Sequence, residues 1–187
     1  MTAFAPSKLA DIWNDAWQRL RRGVVDHKAA TRHPVLATIG LDGFAEARTV
    51  VLRACDPVAA SLSVYTDARS HKINELHAHP GATLLFWDPR ARLQIRARVR
   101  MAIATGEALT DLWASLPEGA RAVYGGDPAP GRPIDGPDAH EPKPDPAQFA
   151  RLDGSVISLE ALHLIEPKHL RARFERADGF QGQWLAP

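Results

Sequence analysis

Residues 48–53 read Arg-Thr-Val-Val-Leu-Arg, an apolar β-branched run held between two arginines. The stiff χ1 of Thr49, Val50 and Val51 suits a pleated strand, where branched side chains pack on their neighbours. Side chains on a strand alternate between faces, so Arg48 and Arg53, five apart, project to opposite sides of a regular one. A permanent cation at each end of a short apolar run calls for an anion, and the flanking sequence must supply the elements that hold it.

Upstream, residues 35–40 (Val-Leu-Ala-Thr-Ile-Gly) alternate like a strand after Pro34. Asp42-Gly43 is a hairpin signal, because the central residues of a type I′ turn need positive φ. The strand carrying both arginines is expected from about Phe44 to Ala54. Residues 55–61 read as a turn and 61–66 as a third strand. Residues 67–81 read as a short helix stopped by Pro80. Two further strands are expected over 82–88 and 92–106, and a second short helix over 110–117. Strands return between Ser155 and Phe174.

Ahead of all these, Leu9, Ile12, Trp13, Trp17, Leu20 and Val24 recur at helical spacing from about Ser7, a plausible N-cap, to Ala30. Short, evenly spaced strands with small inserted helices predict a mainly β (α+β) fold. The expected form is a six- to seven-stranded antiparallel split β-barrel with an N-terminal helix.

The chain has 187 residues, which suits a single domain over 1–187. Residues 117–146 hold eight prolines and five glycines, and are expected to form an ordered loop lying over a neighbouring surface. The net charge of +1 provides no global field for nucleic acid or membrane, so anion binding must be local. One cysteine, Cys55, excludes an internal disulfide. With no signal-like or membrane-spanning apolar run, a cytoplasmic location is expected.

Tyr65 and Thr66 end one expected strand, and Ser70, His71 and Lys72 begin the helix after it. A helix start exposes free N–H groups at the positive end of the helix dipole. Hydroxyls from Thr66 and Ser70, the Lys72 ammonium and a guanidinium from Arg48 or Arg53 would complete a phosphate site. Other clusters carry less. Arg96, Arg98 and Arg100 share a strand face with Gln94 but lack aromatic partners for nucleic-acid bases. The histidines have no cysteines or carboxylates at metal spacing, so neither a metal nor a nucleic acid is expected.

The ordered set Arg-x-x-x-x-Arg, Tyr-Thr, Ser-His-Lys and Arg-Leu-Gln-Ile-Arg (92–96) resembles the pyridoxamine 5′-phosphate oxidase-like FMN-binding split-barrel family, over roughly residues 30–110. That resemblance implies FMN as cofactor, lined by Arg48, Thr49, Val50, Val51, Leu52 and Arg53. It places Tyr65 and Thr66 near the ring and ribityl chain, Ser70, His71 and Lys72 at the phosphate, and Gln94 in a hydrogen bond to the flavin. His71 stands where the family has arginine, and Arg53 where it has lysine. The resemblance also implies a homodimer with the flavin between subunits and a small-molecule substrate. The loop segment Pro128–Ile134 is then the candidate cover for the cofactor.

True pyridoxamine phosphate oxidases carry Arg-Leu-His-Asp-Arg-Phe near the C-terminus, where this chain has His-Leu-Arg-Ala-Arg-Phe (169–174). The substrate motif is therefore not retained, and Arg171 and Arg173 are left as candidate anchors for an acidic substrate. The expected function is an FMN-dependent oxidoreductase with no evident acid or base. The alternatives are a non-catalytic flavin or haem carrier or sensor, or a deazaflavin-dependent reductase.

Overall fold

A computed structural model describes residues 8–187, so the expected cap Ser7 lies outside the described residues. The helices are α1 (Leu9–Val25), α2 (His71–Ala78), α3 (Thr110–Ser115) and α4 (Glu118–Arg121). The strands are β1 (Val35–Ile39), β2 (Ala45–Thr49), β3 (Leu52–Asp56), β4 (Ser61–Asp67), β5 (Gly81–Asp88), β6 (Leu93–Thr105), β7 (Phe149–His163), β8 (Leu170–Glu175) and β9 (Gln183–Leu185).

All pairings are antiparallel, in the order β2-β1-β5-β6-β7-β4-β3, with β8 added to β7 and β9 to β8. This is the mainly β split-barrel class expected, with nine strands rather than six or seven. The single strand anticipated over residues 44–54 is two. It breaks at Val50 and Val51, and its halves β2 and β3 lie at opposite ends of the sheet order. Val50 N–H bonds the Pro34 carbonyl, and the β3–β4 register shifts between Leu52 and Ala54. Periodicity could not reveal the break, since the residues on either side of it are equally β-prone.

The core is the inner face of this bent sheet, including Leu36, Leu52, Leu62, Val64, Leu84, Phe86, Ile95 and Val99, all buried. Each such side chain contributes on the order of 1.5–3 kcal/mol relative to exposure. Helix α1 closes one side with Ile12, Trp17 and Leu20. Trp13 packs on Phe174 and Phe180 with ring centres 5.1 and 4.9 Å apart, tying the C-terminal strands to the helix.

Helix α1 stops at Val25, short of the expected Ala30. Buried Arg32 donates to the carbonyls of Gly23 and Val24 at 3.3 and 2.9 Å, satisfying groups the helix end leaves open. Only glycine fits at residue 23, because a Cβ there would lie 2.8 Å from the Thr31 backbone.

The proline-rich segment is ordered and anchored to its own chain. The Asp67 carboxylate accepts from Gly125 N–H at 2.9 Å and from the Arg69 guanidinium, which also donates to the Gly126 carbonyl at 2.8 Å. Asp127 and Glu141 then pair as an antiparallel bridge. No helix among the described residues is long and apolar enough to cross a membrane.

Candidate functional site

Strand β4 sends alternate side chains to opposite sides. Val64 and Thr66 are turned to the inner face, and Tyr65 to the other, where it meets Phe149 at a ring-centre distance of 5.2 Å. Two clusters result, one on each side, and they divide the candidate residues between them.

The first gathers at the start of α2. Lys72 Nζ donates to Thr66 Oγ1 at 3.0 Å, and Thr66 Oγ1 lies 3.0 Å from Ser70 Oγ. Ser70 Oγ in turn donates to the Asp67 carbonyl at 2.7 Å, so both hydroxyls are buried and fixed. Burial, followed by the nearby Arg48 guanidinium, holds the Lys72 ammonium below the ordinary lysine value, with Glu75 and Asp67 acting in the opposite sense. Arg48 bonds Glu75 at 2.9 and 3.2 Å through Nη2 and also bonds Thr38 through Nη1.

The arginine beside Lys72 is therefore Arg48. The Arg53 guanidinium lies 5.7 Å from the ring centre of Tyr65 in the second cluster, so of the two arginines left open for the phosphate site it is Arg48 that stands with Lys72. The break at Val50 and Val51 is the cause, since it puts Arg48 on β2 and Arg53 on β3 at opposite ends of the sheet order. Tyr124, Trp113 and Phe149 pack around Tyr65 here, with Arg121 5.8 Å from the ring centre of Trp113. Burial raises the phenol pKa of both Tyr65 and Tyr124, while the charge of Arg53 lowers both. Among the described residues no carboxylate pairs with Arg53.

The remaining candidates are dispersed. Thr49 is exposed at the end of β2, Val50 and Val51 form the break, and the side chain of Leu52 is wholly in the core. His71 is exposed at the first position of α2, and Gly131, with φ 82°, passes over it. A Cβ at Gly131 would lie 3.1 Å from His71 Nε2. Gln94 alternates with buried Leu93 and Ile95, so it projects from the outer face with Arg96 and Arg98, away from Thr38 and Glu75. Arg171 is held by Glu160, a carboxylate only 4% exposed, which Arg96 also binds at 2.8 Å. Arg173 lies 3.2 Å from Glu175, and His169 Nδ1 lies 3.0 Å from the Ile165 carbonyl oxygen.

Glu75, Thr38, Tyr124 and Trp113 belong to these clusters and escaped the sequence reading. Glu75 had a usable signal, since it stands three residues beyond Lys72 on the same helical face. The others join through long-range packing that no local pattern carries.

The donor set of the first cluster fits the phosphate of FMN. Two cations lie close enough to disfavour each other's charge, one of them half-buried, with two fixed hydroxyls beside the lysine. An anion there offsets both the repulsion and the desolvation.

Residues 13–105 match the family described as pyridoxamine 5′-phosphate oxidase, FMN-binding domain. A pyridoxine/pyridoxamine 5′-phosphate oxidase of Thermosynechococcus vestitus is 44% identical over 61 residues, 33% of this chain and 28% of that protein. The match thus spans under a third of that relative's length. A pyridoxine/pyridoxamine 5′-phosphate oxidase 2 of Arabidopsis thaliana is 29% identical over 165 residues, 81% of this chain and 79% of that one. The crystal structure of a pyridoxamine 5′-phosphate oxidase-related, FMN binding protein from Nostoc punctiforme superposes over 100% of both chains with a TM-score of 0.78 at 24% identity. Fold, ordered motif and matched domain agree, and the chain belongs to the pyridoxamine 5′-phosphate oxidase-like family of FMN-binding split-barrel proteins.

Proposed function

We propose that this chain binds FMN and acts as an oxidoreductase on a small molecule other than pyridoxamine phosphate. The observation that carries the reading is the half-buried Lys72 bonded to Thr66, next to Ser70 and within the field of Arg48, at the start of α2. Lys72 and Arg48 would neutralise the phosphate, and the hydroxyls and the first amides of α2 would orient its oxygens. When bound, the flavin supplies the redox chemistry, taking up or releasing a hydride.

The position of Gln94 supports a homodimer. It lies on the sheet face opposite the Lys72 cluster, so a flavin touching both would have to sit between two copies of the chain. Exposed Trp87, opposite Gln94 in the β5–β6 register, and Ile157 are apolar surface that a second copy would cover.

The departure from pyridoxamine phosphate rests on the altered C-terminal motif. Arg171 is committed to Glu160, and the ring of His169 is turned to the Ile165 carbonyl. Arg53, with which no carboxylate pairs among the described residues, is flanked by Tyr65 and Tyr124, a setting that suits the acidic group of a planar substrate.

The test is titration of the purified protein with FMN, followed by the change in flavin fluorescence, with riboflavin as the phosphate-free control. Tight FMN binding, weak riboflavin binding and anaerobic bleaching of the flavin by a nicotinamide or candidate substrate are expected. Equal binding of the two flavins would overturn the phosphate site. A bound flavin that no donor reduces would leave a carrier in place of an enzyme.

A further inference from the structure

Glu75 is 5% exposed, and it sits on α2 three residues past Lys72, facing β1 and β2. Its Oε2 accepts from Thr38 Oγ1 at 2.6 Å and from Arg48 Nη2 at 2.9 Å, while Oε1 lies 3.2 Å from the same Nη2. Thr38 completes the triangle by accepting from Arg48 Nη1. One carboxylate and one hydroxyl therefore fix the plane of the guanidinium.

A structural strut alone does not explain this arrangement. A buried ion pair is a poor source of stability compared with apolar packing of similar volume, because both charges must be desolvated. Here the cation also faces a second cation, and that proximity disfavours the charged form of Lys72. Arg48 is 23% exposed, so the edge of its fork turned from Glu75 remains reachable, and a guanidinium has five N–H donors to distribute. The competing partner within reach is Glu46, two residues earlier on β2, 3.7 Å from Nη2 and about half exposed. Without Glu75, Arg48 can turn outward to Glu46 and leave the cluster.

We propose that Glu75, with Thr38, is a positioning residue that aims the Arg48 guanidinium into the phosphate site beside Lys72. This rests on the FMN reading above. The charge of Glu75 also favours the ammonium form of Lys72, against burial and Arg48. One buried carboxylate thus bonds the Arg48 guanidinium and favours the charged form of Lys72.

The experiment compares FMN and riboflavin affinities in the full chain, wild type against Glu75→Gln, Glu75→Ala, Arg48→Ala and the double variant Glu75→Ala/Arg48→Ala, with folding checked by a thermal melt. Loss of an outer-shell partner that orients a metal ligand typically costs about 10–100-fold in affinity, and the same scale is taken for a residue that orients a phosphate-binding guanidinium. Such a loss is expected for FMN in Glu75→Ala, a smaller one in Glu75→Gln, and none for riboflavin in either. If Glu75 acts through Arg48, the double variant binds FMN no more weakly than Arg48→Ala alone. Parallel loss of FMN and riboflavin would reduce Glu75 to a structural role and overturn the proposal, as would additive losses in the double variant. Wild-type preference for FMN that survives in Glu75→Ala would overturn it while leaving the cofactor reading intact. A wild type without that preference would overturn the cofactor reading and the Glu75 assignment together.

Discussion

Arg48 and Arg53, five residues apart, are turned away from each other. The Arg48 guanidinium bonds the Glu75 carboxylate at 2.9 Å, and the Arg53 guanidinium lies 5.7 Å from the ring centre of Tyr65. Between them the chain leaves one end of the sheet order for the other at Val50 and Val51. The two cations consequently serve different clusters, one built on hydroxyls and a helix start, the other on aromatic rings.

That separation predicts different phenotypes. Lys72→Met should weaken FMN binding by tenfold or more, since a hydrogen bond to a charged group contributes about 1.5–3 kcal/mol. Arg53→Met should leave FMN affinity unchanged and weaken the binding of an anionic substrate or product analogue. Fluorescence titration of both variants checks the pair, and an equal loss of FMN in the two would contradict the division.

Affinity should also depend on pH through Lys72. Burial and Arg48 hold its ammonium below the ordinary lysine value of 10.5, so the free protein loses this proton earlier than an exposed lysine does. A bound phosphate raises the same pKa, and binding therefore takes up a proton between the free and bound values. FMN affinity falls as pH rises through that window, and Lys72→Met should lack this alkaline limb in a titration series.

The latch of the proline-rich segment titrates in the opposite direction. Burial pushes the Asp67 carboxyl up, but hydrogen bonds from Arg69 and Gly125 outweigh it and hold the net value below 3.8. A depressed carboxylate stabilises the fold above its unfolded pKa, and that contribution is lost as pH falls through the folded value. Limited proteolysis should cut residues 126–140 faster in Asp67→Ala at neutral pH, with a stability loss of about 1–3 kcal/mol.

Trp17 offers a test of packing against polar satisfaction. It is 2% exposed, and its Nε1 has no hydrogen-bond partner among the described residues. Trp17→Ala should cost about 3–5 kcal/mol in chemical denaturation through the cavity it leaves. Trp17→Phe also removes the unsatisfied N–H and should cost less than about 1.5 kcal/mol.

Cys55 should be inert in the folded protein. Burial pushes its thiol pKa up to about 12, leaving almost no thiolate at neutral pH. A thiol-specific reagent at neutral pH is expected to label it only after denaturant is added, and rapid labelling of the native protein would count against the packing described.

Much of this protein was legible in the residue order. The apolar spacing of α1, the Asp42-Gly43 hairpin, the alternation in β6 and the run from Tyr65 to Lys72 are local signals, set by backbone sterics and side-chain periodicity within a few residues. Which face each cation serves was decided only when the sheet closed. The break at Val50 and Val51, the commitment of Arg171 to Glu160, the approach of Gly131 to His71 and the place of Glu75 beneath Arg48 all depend on residues distant in the chain. Local sequence fixes direction along an element, but contact across elements is set by how strands pair and bend, and that is a property of the whole core.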